Sequence, residues 1–164
     1  MAAPTAQPTI RNASTSTVYR AADHSCNQVA LTLLDDGELL AIFNEERTQR
    51  HADTGQTALM RSSDGGATWS PETYQTVLPY SDTSCNWDSA AVQLADGSLL
   101  MNSRLGAFLK KGIAWEADQF EVRATAYALH AQTETIVMKS TDRGRTWGPP
   151  MTVNTRPMPS GGCW

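Results

Sequence analysis

Short apolar segments alternate with polar turns along most of the chain, and this pattern predicts β-strands rather than long helices. The clearest example is an apolar run from Ala30 to Leu34, an Asp-Asp-Gly turn at 35–37, and a second apolar run that begins at Leu39. The same arrangement recurs around an Asp-Gly turn at 96–97. Because an Asp-Gly turn between two apolar runs is a strong signal for a β-hairpin, both regions are predicted hairpins.

The predicted strands fall into two sets of four, and each set is expected to form an antiparallel meander. The first set lies near 28–34, 38–44, 57–62 and 73–78, and the second near 88–94, 98–104, 134–140 and 150–154. A cysteine precedes each set, and Cys163 stands where a third set would begin. The chain is therefore predicted to be all-β and built from repeats of one unit.

A motif with the pattern S-x-D-x-G-x-T-W occurs between the third and fourth strands of both sets. Its Asp can accept hydrogen bonds from the backbone N–H groups of its own turn, and its Gly supplies a positive φ angle. The Thr favours the returning strand, and the Trp contributes a large apolar ring to the packing of the sheet. These positions are thus expected to be structural: Ser62, Asp64, Gly66, Thr68, Trp69, Ser140, Asp142, Gly144, Thr146 and Trp147.

This repeated motif resembles the Asp box of sialidases and related β-propellers. The resemblance implies an all-β fold, a β-propeller of the six-bladed sialidase type, of which this chain holds about two four-stranded antiparallel blades. We place blade 1 at about 18–80, blade 2 at about 81–158 and the start of a third blade at 159–164, all within one partial domain. Since a propeller closes with about 4–8 blades, we interpret the sequence as the N-terminal portion of a longer protein.

A meander places alternate turns at opposite ends of the sheet, which gives each blade two rims. The Asp-Gly turns and the Asp boxes share one rim. Functional residues usually lie on loops carried by a rigid scaffold, so the opposite rim is the place to expect them. That rim receives the segments 20–27, 45–56, 79–87, 105–133 and 155–164. The segment 105–133 is long for a connection and is expected to form a lid, a pocket wall or a short helix within 114–128.

Two residues in the connection after the second strand carry the expected chemistry. The stretch from Leu39 to Arg47, followed by Asp53, resembles the first blade of sialidases, where an Arg motif precedes an Asp by about six residues. By this resemblance Arg47 binds the carboxylate of the substrate and Asp53 is the general acid/base. A sialoside would repel a carboxylate nucleophile, and sialidases use a Tyr instead. The alternative is that Arg47 and Asp53 form a solvated ion pair worth about 0–1 kcal/mol.

Two further substrate-binding residues are suggested by the same resemblance. Arg20 follows a Tyr, as the first carboxylate-binding Arg does in many sialidases, but it continues as Ala-Ala where the family has Ile-Pro. Asp88 begins the first strand of the second set, where sialidases often place an Asp near the substrate, and capping of that strand is the alternative. No tyrosine stands in the context expected for the nucleophile.

Composition narrows the possible classes of protein. The chain has 164 residues, a formal net charge of −4 and 40% hydrophobic residues, as expected of a globular domain, and it has no basic block that would favour nucleic acid as a partner. Neither a signal peptide nor a membrane-spanning segment is seen in the sequence, which leaves the compartment unknown and the cytoplasm as the default. Three cysteines are too few for a disulfide framework. His24 and Cys26 offer only two metal ligands, so no metal or other cofactor is expected.

The sequence thus predicts part of an exo-α-sialidase-like glycoside hydrolase that removes terminal sialic acid from glycoconjugates. Its expected partner is a sialoside or another glycan. The resemblance places the nucleophilic Tyr, its Glu partner and further Arg residues in later blades, so these 164 residues are expected to be inactive alone. The alternative is a non-catalytic Asp-box propeller that binds carbohydrate or protein, because the Asp box itself says nothing about catalysis.

Overall fold

The backbone follows two successive meanders. The computed structural model describes residues 13–46, 55–80, 84–108 and 130–154, and over these ranges the chain forms two four-stranded antiparallel sheets. Blade 1 contains β1 (Cys26–Leu33), β2 (Leu39–Glu45), β3 (Gln56–Ser62) and β4 (Gln75–Leu78). Blade 2 contains β5 (Ser84–Gln93), β6 (Leu99–Phe108), β7 (His130–Ser140) and β8 (Met151–Asn154). Each strand pairs with the next one in the sequence, so the predicted blade topology is confirmed.

The strands of blade 2 extend further than the apolar pattern predicted. β5 begins at Ser84 and not near 88, β6 continues to Phe108, and β7 starts at His130. The reason is backbone pairing, since β6 and β7 stay in register beyond their apolar positions. The predicted 105–133 connection is therefore shorter, and both its remainder, with the expected helix, and the start of a third blade lie outside the described residues.

The first strand of each blade is interrupted by a β-bulge at an equivalent place. Gln28 and Asp88 both adopt φ 52°, and the register shifts between Asn27 and Ala30 and between Trp87 and Ala90. A bulge adds one residue to the strand and changes the direction of its side chains. The side-chain oxygen of Gln28 accepts hydrogen bonds from Asn44 (2.9 Å) and from the backbone N–H of Asp88 (3.3 Å), so it links the two bulges.

The two blades bury their facing apolar surfaces against each other. Ile42 and Leu59 of blade 1 pack with Met101 and Met138 of blade 2, and Trp147 lies against this cluster. Trp147 also packs against a second buried cluster made of Leu34, Leu40 and Leu99. The indole of the second Asp box therefore fills the space between the blades.

Polar contacts within the same interface fix how the blades are oriented. Thr32 donates to the carbonyl of Ala91 (2.8 Å), and the hydroxyls of Thr57, Ser89 and Ser103 form a buried chain with O···O distances of 2.8 and 2.9 Å. These buried hydroxyls have hydrogen-bond partners only in one relative position of the two blades, so they stabilise that position.

The outer face of blade 1 is covered by residues that precede β1. Phe43, Ala58 and Met60 form a buried cluster, and Val18 and Tyr19 pack on it together with Trp69 and Tyr74. The rings of Tyr19 and Phe43 stack with centroids 5.2 Å apart. Over the described residues the sheets do not close into a ring, and large apolar side chains remain more than half exposed: Val29, Leu31, Leu33, Val92, Met151 and Val153.

The two Asp boxes have the same hydrogen bonds. In the first, the Asp64 carboxylate accepts from the Ser62 hydroxyl (2.7 Å), the Thr68 N–H (2.9 Å) and the Thr68 hydroxyl (2.6 Å). In the second, Asp142 accepts the equivalent bonds at 2.7, 2.8 and 2.6 Å. The carboxylate of each box is thus occupied by donors of its own turn.

The boxes and the Asp-Gly turns lie on one rim, as predicted. Arg143 of the second box donates to the carboxylates of Asp35 (Nη2···Oδ1, 3.1 Å) and Asp36 in the turn of blade 1. Arg61 connects the same region, because it donates to Glu38 (2.8 Å) and to the carbonyl of Arg143 (3.0 Å). No helix within the described ranges has the length and apolar character needed to cross a bilayer.

The first Asp box should contribute to the free energy of unfolding at neutral pH and lose this contribution in acid. Its Thr68 hydroxyl and N–H bonds lower the pKa of Asp64 to about 2, whereas an unfolded Asp titrates near 4. A depressed carboxyl pKa stabilises the fold above the unfolded pKa, and this contribution is lost as the pH falls through the folded pKa. We expect Asp64→Asn to be less stable than wild type at neutral pH and to converge with it between about pH 4 and pH 2 in urea denaturation. Glu72→Gln, on the exposed turn nearby, should track wild type throughout, and a constant gap for Asp64→Asn would contradict the assignment.

Removal of the indole between the blades should be costly. Trp147→Ala would empty the space next to two buried clusters, and we expect it to lower the free energy of unfolding by about 3 kcal/mol. Trp69→Ala is the matched control, because Trp69 packs on one buried cluster and should cost less. Equal losses in denaturant titrations of the two variants would show that Trp147 does not join the blades.

Candidate functional site

The rim opposite the Asp boxes is built from strand ends that carry buried polar side chains. β2 ends with Asn44 and Glu45, the chain continues to Glu46, and β3 starts again at Gln56. Consecutive residues of a strand face opposite sides of the sheet, so Glu45 and Glu46 serve different faces. Both are buried, at 4% and 0% relative exposure. A pair of buried carboxylates is costly unless each is supplied with donors.

Glu45 lies at the centre of a group of four donors on the outer face of blade 1. Its Oε1 accepts from the hydroxyl of Tyr19 (2.8 Å) and contacts Nε2 of His24 (2.6 Å). Its Oε2 accepts from the amide of Gln56 (2.6 Å) and from the hydroxyl of Tyr74. We call Glu45 with Tyr19, His24, Gln56 and Tyr74 the Glu45 cluster.

The electrostatics of the Glu45 cluster keep the carboxylate charged and the phenols protonated. Burial by itself raises the pKa of Glu45, but the hydrogen bonds from Tyr74, Gln56, His24 and Tyr19 outweigh it, and the pKa is lowered. Burial and then the hydrogen bond to Glu45 raise the pKa of Tyr74 to about 12, and the pKa of Tyr19 rises for the same reasons. The cluster therefore holds one charged, buried carboxylate between two protonated phenols that donate to it.

His24 stands between two carboxylates. Its Nδ1 contacts Oδ1 of Asp23 (2.8 Å) and its Nε2 contacts Glu45. Burial lowers the pKa of His24, yet the hydrogen bonds to Glu45 and Asp23 reverse this effect and leave the pKa raised above 6.5. The two carboxylates therefore favour the protonated ring.

Glu46 belongs to a second polar group on the side of blade 1 that faces blade 2. Asn27 donates to Glu46 (3.2 Å), Asn44 donates to the carbonyl of Asn86 (2.7 Å), and the amide of Asn86 lies 3.5 Å from the carbonyl of Gly55. We call Asn27, Asn44, Glu46 and Asn86 the Glu46 cluster. The side-chain oxygens of its three asparagines are buried and accept no hydrogen bond from the described residues. Buried acceptors of this kind are usually satisfied by ordered water or by a ligand.

The predicted catalytic pair lies in the connection that leaves this rim. Arg47 and Asp53 are in the segment 47–54, outside the described residues, so their roles stay predictions. The two ends of the segment are described: Glu46 is fully buried, and Gly55 sits so close that a Cβ there would approach the Glu46 carboxylate to 2.6 Å. The connection that contains Arg47 and Asp53 is thus anchored at the Glu46 cluster.

Arg20 and Asp88 occupy different parts of the molecule. Arg20 is exposed and lines a groove on the outer face of blade 1 with aromatic residues that include Trp69 and Tyr74. Asp88 is exposed on blade 2 and pairs with Arg104 (3.5 Å). It lies at the bulge within β5 rather than at the start of that strand, so the strand-capping interpretation is wrong.

Sequence reasoning missed the Glu45 cluster. The sequence places Glu45 only within the rim segment 45–56 and predicts no role for Tyr74. The sequence does contain one indication of the cluster. Phe43 and Glu45 are two residues apart in a strand, so both side chains lie on the same face, which is apolar. A carboxylate buried on that face requires hydrogen-bond donors from neighbouring residues. The identity of those donors depends on strand register and on how the segment before β1 covers the sheet.

Several solved structures have a similar fold. A protein of unknown function from Dyadobacter fermentans DSM 18053 matches with a TM-score of 0.59 and 21% identity, over 82% of this chain and 38% of its own. The Hadza microbial sialidase Hz136 matches with a TM-score of 0.58 and 18% identity, over 78% and 26% of the two chains. The Trypanosoma rangeli sialidase matches with a TM-score of 0.50 and 20% identity, over 80% and 21%. No protein-family model and no curated protein sequence matches the chain.

These matches define the fold as sialidase-like. The two described sheets correspond to blades of a sialidase-type propeller, which agrees with the fold class predicted from the repeats. At these identities the likeness shows the fold alone. The chain spans less than half the length of each of the three proteins.

Loss of the negative charge of Glu45 should lower the stability of the fold. Glu45→Gln keeps the shape of the side chain but turns one oxygen into a donor amide that faces existing donors, among them Tyr74 and Gln56. We expect the free energy of unfolding to fall by about 1.5–3 kcal/mol, measured by urea denaturation at neutral pH. Tyr19→Phe removes one donor and should cost only about 0.5–1.5 kcal/mol. A Glu45→Gln variant as stable as wild type would show that the cluster does not depend on the charge.

Proposed function

We propose that the chain is part of a glycoside hydrolase of the exo-α-sialidase type, which removes terminal sialic acid from glycoconjugates. One observation supports this proposal. The blades are sialidase-like, and the connection with Arg47 and Asp53 begins and ends at the rim opposite the Asp boxes, where buried polar groups lie. Functional residues are expected on such a connection, because the strand ends hold it while its side chains remain available to a ligand.

The two residues have complementary roles in this reaction. The guanidinium of Arg47 would bind the carboxylate of the sugar in a bidentate pair, which a Lys cannot reproduce. Asp53 would protonate the leaving oxygen and afterwards activate the water that releases the sugar. Asp53 must hold its proton at the start of this cycle, and a closed pocket that disfavours the carboxylate would supply that condition.

The remaining predicted residues take part as substrate contacts. Arg20 and Asp88 are both exposed, so a ligand can reach either of them. Arg20, on the outer face of blade 1, would add a cation for an acidic group of the glycan, and Asp88, on blade 2, would accept hydrogen bonds from sugar hydroxyls. The unpaired asparagine oxygens of the Glu46 cluster lie at the base of the same rim and are acceptors of the kind that sugar hydroxyls satisfy.

The reaction requires more than these residues. The chain spans 26% and 21% of the two sialidases described above. The resemblance assigns the nucleophilic Tyr, its Glu partner and further Arg residues to later blades. We therefore expect no turnover of sialosides by the 164 residues alone.

A second candidate function is non-catalytic glycan binding. The observation that favours it is the groove on the outer face of blade 1, where Trp69, Tyr74 and Tyr19 lie beside the exposed Arg20. Aromatic rings give a sugar ring an apolar surface to pack on, and an Arg next to them can hold an acidic group. A propeller that only binds would need this groove and would not need an acid at Asp53.

The test is an assay of the product of the whole reading frame that contains these residues. We expect hydrolysis of a fluorogenic sialoside, and Asp53→Asn should lower kcat by about 10²–10⁴-fold because it removes the acid/base. Glu72→Gln, on the exposed turn beside the first Asp box, is the control and should leave kcat unchanged. Retained activity in Asp53→Asn would reject the catalytic assignment. Glycan binding without turnover, weakened by Arg20→Ala or Trp69→Ala, would favour the binding module.

A further inference from the structure

We propose that His24, Cys26 and Glu45 form a binding site for a transition-metal ion of the Zn²⁺ class at the beginning of β1. One ligand atom from each residue, a ring nitrogen, the thiol sulfur and a carboxylate oxygen, lies within 4.8 Å of the other two. The site is separate from the connection that carries Arg47 and Asp53, and it does not depend on the proposed glycosidase function.

The sheet register brings the three ligands together. Cys26 and Glu45 are direct partners across the β1–β2 pair, and directly opposed residues place their side chains on the same face of the sheet, with Cβ atoms about 4.5–5.5 Å apart. His24 precedes Cys26 by one intervening residue and reaches the same carboxylate, as its 2.6 Å contact with Glu45 shows. The sequence shows only the His–x–Cys spacing, and the third ligand comes from pairing with β2.

The donor set suits Zn²⁺ better than Mg²⁺ or Ca²⁺. Nitrogen, sulfur and one carboxylate oxygen are the ligands found around Zn²⁺, whereas the hard cations require oxygen donors. Three protein ligands leave one position of a tetrahedral ion for water or another molecule. His24 and Cys26 are half-buried and Asp23 is exposed, so solvent reaches the site from the side of the histidine.

The groups around the ligands are already arranged for a metal. Asp23 contacts Nδ1 of His24 at 2.8 Å, and a carboxylate on one ring nitrogen holds its proton there and directs the lone pair of the other nitrogen to the ion. Tyr74 and Gln56 hold Oε2 of Glu45, so Oε1 is the oxygen that faces His24. A carboxylate–histidine pair of this kind is the usual support of a zinc ligand.

Metal binding would release protons from His24 and Cys26. Nε2 of His24 binds an ion through its lone pair, so a proton carried on that nitrogen leaves to solvent, and the thiol of Cys26 loses its proton to solvent as the sulfur–metal bond forms. The two side chains must separate from their 2.6 Å contact to admit the ion between them. Without metal, Nε2 of His24 and Oε1 of Glu45 contact each other directly.

The experiment uses the full 164-residue chain, reduced and stripped of metal with EDTA. Titration with Co²⁺ should give a thiolate-to-cobalt charge-transfer band and intense visible bands of a four-coordinate ion at one equivalent, and Zn²⁺ should displace both. Zn²⁺ should also raise the Tm, whereas Mg²⁺ should not.

Variants identify the ligands. Cys26→Ser should abolish the charge-transfer band, while the matched control Cys163→Ser should keep it. His24→Ala should weaken the Kd for Zn²⁺ by at least tenfold, and Asp23→Asn, which changes a supporting group, should weaken it by about 10–100-fold. Circular dichroism of each variant without metal checks that it folds, and Asp23→Asn changes a side chain that is 87% exposed.

Three results would overturn the proposal. The first is the absence of the cobalt band and of a Tm response to Zn²⁺ in the folded wild-type chain. The second is a band that survives Cys26→Ser and disappears in Cys85→Ser or Cys163→Ser, which would place the metal elsewhere. The third is a Tm response that Mg²⁺ reproduces. None of these results bears on the Asp53→Asn assay, so the two proposals fail separately.

Discussion

The packing of the two sheets against each other is the interaction on which the rest of the structure depends. A four-stranded sheet with one apolar face is marginal by itself, and here Ile42 and Leu59 are removed from water only because Met101 and Met138 lie against them. The hydroxyl chain of Thr57, Ser89 and Ser103 then fixes the relative orientation of the sheets. With that orientation set, the strand ends at both rims have defined positions, and the polar groups at those ends can form clusters.

The two rims use their carboxylates differently. At one rim, Asp64 and Asp142 accept hydrogen bonds from their own turns, so each is satisfied locally, and Asp64 is exposed while Asp142 is half-buried. At the other rim, Glu45 and Glu46 are buried and depend on residues that are distant in sequence. A local arrangement tolerates changes elsewhere in the protein, whereas a buried carboxylate fixes several segments at once. One rim therefore maintains the repeat, and the other links segments that are far apart in the sequence.

The elements with local signals were predicted from the sequence, and those that depend on register were not. The Asp-Gly turns and the Asp boxes determine where hairpins form, because their hydrogen bonds lie within a few residues, and the two blades follow from them. The bulges at Gln28 and Asp88 escaped notice, since neither residue is a usual choice for positive φ. The Glu45 cluster was not predicted for a related reason. It depends on the pairing of Cys26 with Glu45 and on the packing of Tyr19 against β2, and the hydrophobic pattern of the sequence indicates neither contact.

The packing of the two Asp-box tryptophans shows that the sequence repeat and the folding unit have different boundaries. Trp69 packs on the face of blade 1 that is turned away from blade 2, and Trp147 packs on the face of blade 2 that is turned toward blade 1. Each indole therefore completes the core on the side of the preceding unit. A segment cut at the boundaries of the sequence repeat would lose the ring that its neighbour supplies. A graft or recombination between related chains should thus carry the next Asp box along with the blade that it stabilises.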